Sequence, residues 1–344
     1  IRVVRVKTYI AANEGFAGRT LDYLSFMAMG AAAGALERRP DVLVATSPQF
    51  FAGLGGAALG SLRRLPFVLE VRDLWPASIV AVGAMRGGPV IDALERLELA
   101  LYRRADAVIV VTEAFRTDIA ARGIAPEKLH LVPNGADLSW CAPRPRDTSL
   151  AREYGLEGKF VVGYIGTHGM AHGLERVLDA AERLRDANDI AFFFAGAGAE
   201  RASLEQSVAR RRLDNVRLIP RQPKARMSAL WSVCDLTLIP LRADPVFATV
   251  IPSKLFEAMA HGVPIVIGTP EGEATALVRD TGAGVSVPPE DPEALAGAIV
   301  ELQRAPERLG ELRARALAAA PRFSRQHQAE RMIDVLERVV RCGA

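Results

Sequence analysis

Short apolar runs separated by helical stretches recur along the whole chain, and this alternation leaves few folds open to it. Runs of this kind fall at 2–8, 41–47, 67–72, 107–111 and 129–132, with helical stretches at 18–37, 49–64, 89–105 and 113–122. Strand, helix, strand in that rhythm means βαβ units and a parallel sheet. Asn134-Gly135 closes the series, and PRPRD at 143–147 reads as a linker. A second series follows, with strands at 160–165, 190–195, 216–219, 236–240, 264–267 and 284–287 and helices between them. At 344 residues the chain is longer than one growing core accommodates, so two domains are expected. The reading is α/β: a first domain at 1–145, a second at 146–323, and a C-terminal helix at 324–341 suited to complete the first. Two doubly wound domains facing a cleft would bind ligands beyond the carboxyl ends of their strands.

Several function classes are excluded or weakened. A net charge of +3 is too small for a nucleic-acid surface. Cys141, Cys234 and Cys342 lack metal-ligand spacing and suit a reducing cytoplasm. No apolar run reaches transmembrane length. The runs 24–36 and 50–62 are each trailed by an arginine pair, Arg38–Arg39 and Arg63–Arg64, which leaves room for contact with a membrane surface. Gly53-Leu-Gly55-Gly-Ala-Ala58 imitates a dinucleotide fingerprint, but five residues separate it from its strand. Glycines placed inside a helix indicate close packing, which leaves a nicotinamide-dependent dehydrogenase the least supported class.

Four stretches carry candidate chemistry. In 247–268, Pro252 and Ser253 make a helix start with Ser253 as N-cap, Lys254 and Glu257 sit in the first turn, and Gly262 ends the helix. A helix start attracts anions, Lys254 adds a full charge, and Glu257 can accept from two neighbouring hydroxyls. With five lysines among 43 basic residues, Lys254 is a conspicuous choice. GYIGTHGMAHG at 163–173 is a glycine-rich turn between strand and helix, fit to bring backbone N–H groups to a phosphate; its glycines argue against a His168/His172 metal pair. Asp73 closes a strand in EVRDLWP and reads equally as a cleft residue or a turn cap. Arg221 to Lys224 opens a helix after another strand, beside a base or phosphate or as a plain connection.

Taken together, EVRDLWP (70–76), ALYRRADAVIVVT (100–112), VPNGADL (132–138), GYIGTHGMAHGLERVLDAA (163–181), IPSKLFEAMAHGVPIV (251–266) and DPEALAGAI (291–299) resemble a GT-B glycosyltransferase of family 4. The nearest subgroup is the fucosamine-transferase-like enzymes of bacterial O-antigen and capsule assembly. The resemblance implies a retaining transfer from a nucleotide sugar, UDP-sugar favoured, to a glycan on a lipid carrier. It implies no cofactor and no obligatory metal, in the cytoplasm or peripherally at the inner membrane. It makes 1–145 the acceptor-side domain and 146–323 the nucleotide-sugar-binding domain, and places Glu257 on the ribose, Ser253 and Lys254 at the diphosphate, Gly166, Thr167, His172 and Gly173 along the phosphates, and Arg221 and Lys224 next to the base. Asp73 then lies near the donor sugar and acceptor, and Asp73 and Lys254 are the catalytic candidates.

Three departures qualify the pattern. Eight residues before Glu257, where the family carries a second glutamate, stands Thr249. The arginine–lysine pair of the 166–173 loop is replaced by Thr167 and His172. The family's first strand and glycine loop have no counterpart, so an incomplete N-terminal domain is expected, as in a truncated chain. A GT-B sugar-nucleotide 2-epimerase and a non-catalytic nucleotide-sugar-binding remnant are the rival readings.

Overall fold

A computed structural model describes residues 2–10, 15–47, 49–81, 83, 85 and 87–343. The chain divides into two compact units, 1–133 with 329–344, and 134–328.

In the first unit, β1 (Leu43–Thr46), β2 (Phe67–Val71), β3 (Ala107–Val110) and β4 (Leu129–Leu131) form a parallel sheet in chain order. Phe67, Val68, Leu69 and all of β3 are buried, as continuous apolar runs in a parallel sheet should be. The helix Phe50–Arg63 packs closely because it carries glycine. A Cβ on Gly56 would lie 2.7 Å from that of Ala45, and one on Gly53 2.9 Å from Leu101 Cδ2. The false fingerprint is thus a packing face. The final helix, Arg325–Gly343, lays Val335 against Val68, Ala107, Ile109 and Val132, and Arg331 donates to the Leu131 carbonyl at 2.7 Å.

The expected strand at 2–8 is corrected: residues 2–10 form no strand. Val3 and Val4 stay 70% and 48% exposed, and the segment is held from the side, by Arg2 on Glu37 and by the Tyr9 amide on Ser25 Oγ. Alternating valines and charges make a strand only where a neighbouring strand supplies the hydrogen bonds.

The second unit holds β5 (Phe160–Ile165), β6 (Ile190–Ala195), β7 (Val216–Ile219), β8 (Leu236–Pro240), β9 (Ile265–Gly268) and β10 (Gly284–Ser286), all parallel. Their order is β10-β9-β8-β5-β6-β7. The pleat sends Val161, Ile165 and Phe193 to one core layer, with Trp231 and Phe256. It sends Val162, Tyr164, Phe192 and Phe194 to the other, under the helices Leu174–Arg183 and Pro292–Gln303. The chain runs outward from β5 to β7, then returns to build β8 to β10 on the other side. The switch point therefore falls between β5 and β8, the place where open α/β sheets bind ligands. Among the described residues no helix is long and apolar enough to cross a membrane.

Candidate functional site

The loop after β5 seals the near side of that switch point. Gly166 N–H donates to the Ala195 carbonyl at 3.0 Å and His168 N–H to that of Ala197 at 2.9 Å, so the loop continues the β5–β6 ladder. Glu200 N–H returns a bond to the His168 carbonyl at 2.9 Å. Such closeness requires glycine: a Cβ on Gly196 would stand 1.8 Å from the Gly166 oxygen, and one on Gly198 2.3 Å from the His168 oxygen. The far side is stitched as well. Arg242 N–H donates to the Ala171 carbonyl at 2.9 Å, and His172 Nδ1 lies 3.3 Å from the Pro240 carbonyl. Gly173 turns into the next helix with φ of 55°, a left-handed conformation that a side chain would strain.

The helix Lys254–His261 brings the other half. Its buried face is Leu255, Phe256, Ala258 and Met259, and Gly262 ends it in the left-handed conformation. Lys254 and Glu257, three apart, share the remaining face. Ser253 occupies the N-cap position, but its backbone is already helical and its exposed side chain caps nothing. The first turn is tied by backbone bonds instead: Leu255 N–H donates to the Pro252 carbonyl at 3.0 Å and Phe256 N–H to that of Ser253 at 3.1 Å.

Lys254 inverts the usual habit of lysine. Its stem is partly open, yet Nζ is buried without a hydrogen-bond partner, 3.9 Å from the centre of the Tyr164 ring. Burial lowers its pKa to about 7 against the raising influence of Glu257. His168 and His172 flank the same ring, each with ring centres 5.8 Å from it. Burial, then the nearby charges, hold His168 at about 4 and His172 at about 3, so both are neutral imidazoles at physiological pH. Burial also raises Glu257, against the positive charges of Arg325, Lys254 and Lys224.

The predicted residues therefore separate into groups. Gly166, His172 and Lys254 surround one buried cluster, with Thr167 and Gly173 on the same loop; Thr167 is exposed and its carbonyl accepts from Tyr164 Oη at 2.6 Å. Lys224 Nζ sits 4.7 Å over the Trp140 ring, and the positive charges of Arg325, Lys254 and Lys224 all act on Glu257. Arg221 is exposed at the end of β7. Thr249, in the place of the absent glutamate, turns its hydroxyl onto the Val246 carbonyl at 2.7 Å. Asp73 belongs to the first unit, beyond β2, where burial raises its pKa while the Ser78 hydroxyl and Leu74 amide lower it; its turn-bracing role is visible there.

Sequence reading does not single out Tyr164, Trp140 or Arg325. Tyr164 has a signal in hindsight, an aromatic with a polar tip two residues before Gly166. Arg325 has none: Ser324 pairs with Ala136 across most of the second unit, and only that return brings it near Glu257.

Comparison with known proteins interprets this geometry. Residues 1–135 match the Glycosyl transferase 4-like domain and 159–304 match Glycosyl transferases group 1. Two stretches of the chain are thus similar to glycosyltransferase domains. The group 1 stretch contains the switch point, the 166–173 loop, Lys254 and Glu257. Over 239 residues the chain is 28% identical to the probable glycosyltransferase WbjE of Pseudomonas aeruginosa, covering 69% of this chain and 59% of that one. It is 28% identical to the putative colanic acid biosynthesis glycosyl transferase WcaI of Escherichia coli K12, covering 76% and 66%. The chain thus spans about three-fifths to two-thirds of these relatives. The fold matches Anabaena Alr3699/HepE, solved in complex with UDP and glucose, with a TM-score of 0.76 at 20% identity, covering 95% of this chain and 84% of that one. Both units are thus Rossmann-like and the fold is GT-B.

Proposed function

We propose that this chain is a retaining glycosyltransferase that moves a sugar from a nucleotide sugar, UDP-sugar favoured, to a lipid-linked glycan in bacterial surface polysaccharide synthesis. The observation that carries the reading is the unpartnered Lys254 amine beneath the glycine turn, at the switch point, one helical turn from a half-buried carboxylate. Breaking the bond from sugar to diphosphate loads negative charge onto the departing oxygen. Lys254, the helix start at Ser253 and the 166–173 loop would stabilise that charge without a proton-transfer residue. Glu257 would take the two ribose hydroxyls, Lys224 and Arg221 would border the base, and Asp73 would orient the acceptor. Donor binding without a metal or cofactor belongs to the same proposal. The colanic acid biosynthesis assigned to WcaI supports surface polysaccharide as the product class, and the UDP held by HepE supports the donor class.

The test is titration of UDP into wild type and Glu257→Ala. The variant is expected to bind roughly 10–100-fold more weakly, the effect of losing hydrogen bonds to a charged group. Unchanged affinity would remove Glu257 from the ribose. Product analysis with a UDP-sugar and no acceptor separates the epimerase reading, which requires an epimer to form.

Membrane contact has a specific candidate surface within the first unit. Leu36 and Leu62 are 90% and 76% exposed at the ends of adjacent helices. These ends are tied together by Arg63 on the Gly34 carbonyl and Arg39 on the Arg64 carbonyl. Arg38, Arg39 and Arg64 follow the two leucines within three residues in the chain and are exposed. Sedimentation with phosphatidylglycerol vesicles is expected to fall about fivefold for each Arg→Ala substitution, near 1 kcal/mol per charge. Equal sedimentation with neutral phosphatidylcholine vesicles would refute an electrostatic contact.

A further inference from the structure

We propose that nucleotide-sugar binding is coupled to proton uptake at Lys254: the buried amine takes a proton from solvent as the diphosphate arrives and returns it when the nucleotide leaves. The inference rests on the nucleotide reading above and adds to it a linkage between donor affinity and pH.

The geometry supplies three reasons. First, Nζ has lost water and has gained no hydrogen-bond acceptor. Its nearest group is the face of Tyr164, whose hydroxyl is committed to the Thr167 carbonyl. A ring face replaces only a small part of the hydration of an ammonium.

Second, the groups around it do not offset a charge. From the loop, His168 and His172 contribute neutral imidazoles, one fully buried and the other directed at the Pro240 carbonyl. From the helix Arg201–Arg211, Arg201 and Glu205 act on His168 with opposite sign. Glu257, on the helix of Lys254 itself, is the acid that acts on the amine, and its own charge is disfavoured by burial.

Third, the loop backbone lies directly against the amine. A Cβ on Gly166 would be 3.0 Å from Nζ. An anion held by that loop would meet Lys254 and supply the missing acceptors, which favours the charged form. In the free protein the amine sits at about 7, so near neutrality a large share of molecules must gain a proton to bind.

The experiment is calorimetric titration of UDP-glucose, whose diester diphosphate stays ionised throughout, in buffers of differing ionisation enthalpy. Wild type is expected to take up about half a proton per nucleotide at pH 7 and close to one at pH 8.5, with affinity falling about tenfold per pH unit above 7. Lys254→Arg, which stays charged, is expected to bind with no uptake. Binding of the wild type without buffer-dependent heat overturns the inference and leaves the nucleotide reading standing. Uptake that persists in Lys254→Arg also overturns it, because the proton then resides elsewhere. If wild type binds neither UDP-glucose nor UDP, the nucleotide reading fails and the inference falls with it.

Discussion

Replacing Lys254 with methionine is expected to make the protein more stable and nearly inactive. The two effects have one origin. An ammonium buried without acceptors costs free energy that an apolar side chain of similar length does not, so Lys254→Met should gain on the order of 1–3 kcal/mol. For a unit of this size that corresponds to a rise in Tm of roughly 2–10 °C. The pH dependence fixes the cause. The folded-state pKa, about 7, lies below the ordinary lysine value of 10.5. The unfolded chain therefore binds more protons between those limits, and wild-type stability rises with pH across that window. The advantage of the methionine variant should be full at and below pH 7 and should shrink toward pH 10.5. Turnover should fall roughly 10²–10³-fold, the effect of losing one stabiliser of the departing group. Thermal melts at several pH values, paired with turnover on a UDP-sugar, read both. A destabilised variant would mean that the amine is satisfied, and near-normal turnover would remove Lys254 from the chemistry.

The second large effect is expected at Gly196, which is not a ligand candidate at all. An alanine there must move the Gly166 carbonyl, since 1.8 Å allows no accommodation by a side chain. Moving that carbonyl breaks the bond from Gly166 N–H to Ala195 and shifts the loop relative to Lys254. We expect Gly196→Ala to cost about 2–4 kcal/mol and to abolish measurable UDP binding. Gly297→Ala is the control: this exposed glycine lies inside a helix with open space around it, and alanine should stabilise by about 0.5–1 kcal/mol. Circular-dichroism melts and UDP titration on both variants decide the matter. If Gly196→Ala behaves like Gly297→Ala, the loop is softer than its hydrogen bonds indicate.

What could be read from the sequence follows the range of each force. Strands β3, β5, β6 and β9 announce themselves because parallel strands buried on both faces are continuous apolar runs. The segment 2–8, where valines alternate with charges, also reads as a strand and fails, because a strand requires a partner that no local pattern reports. The first turn at Lys254 and Glu257 was visible from capping chemistry, yet the capping hydroxyl of Ser253 was not used. Backbone conformation settled that, and residue type alone does not. The burial of the Lys254 amine was out of reach. It depends on Tyr164 and on two histidines from a loop some eighty residues earlier, and the sequence separation hides the juxtaposition. The same holds for Arg325 beside Glu257. The candidate residues of the 254–257 turn and the 166–173 loop are thus legible as residue types, while their electrostatics emerge only from packing.

The ladder that extends past β5 and β6 bears on how the protein meets its ligand. Loops at binding sites are ordinarily the fastest places for amide hydrogens to exchange with solvent. Here the amides of Gly166, His168 and Glu200 are each held by a neighbouring carbonyl, so they should exchange as slowly as strand amides. A wall already set in place has little order left to gain. The arriving nucleotide would then lose its own freedom alone, and donor recognition should show a small entropy cost for a ligand so polar.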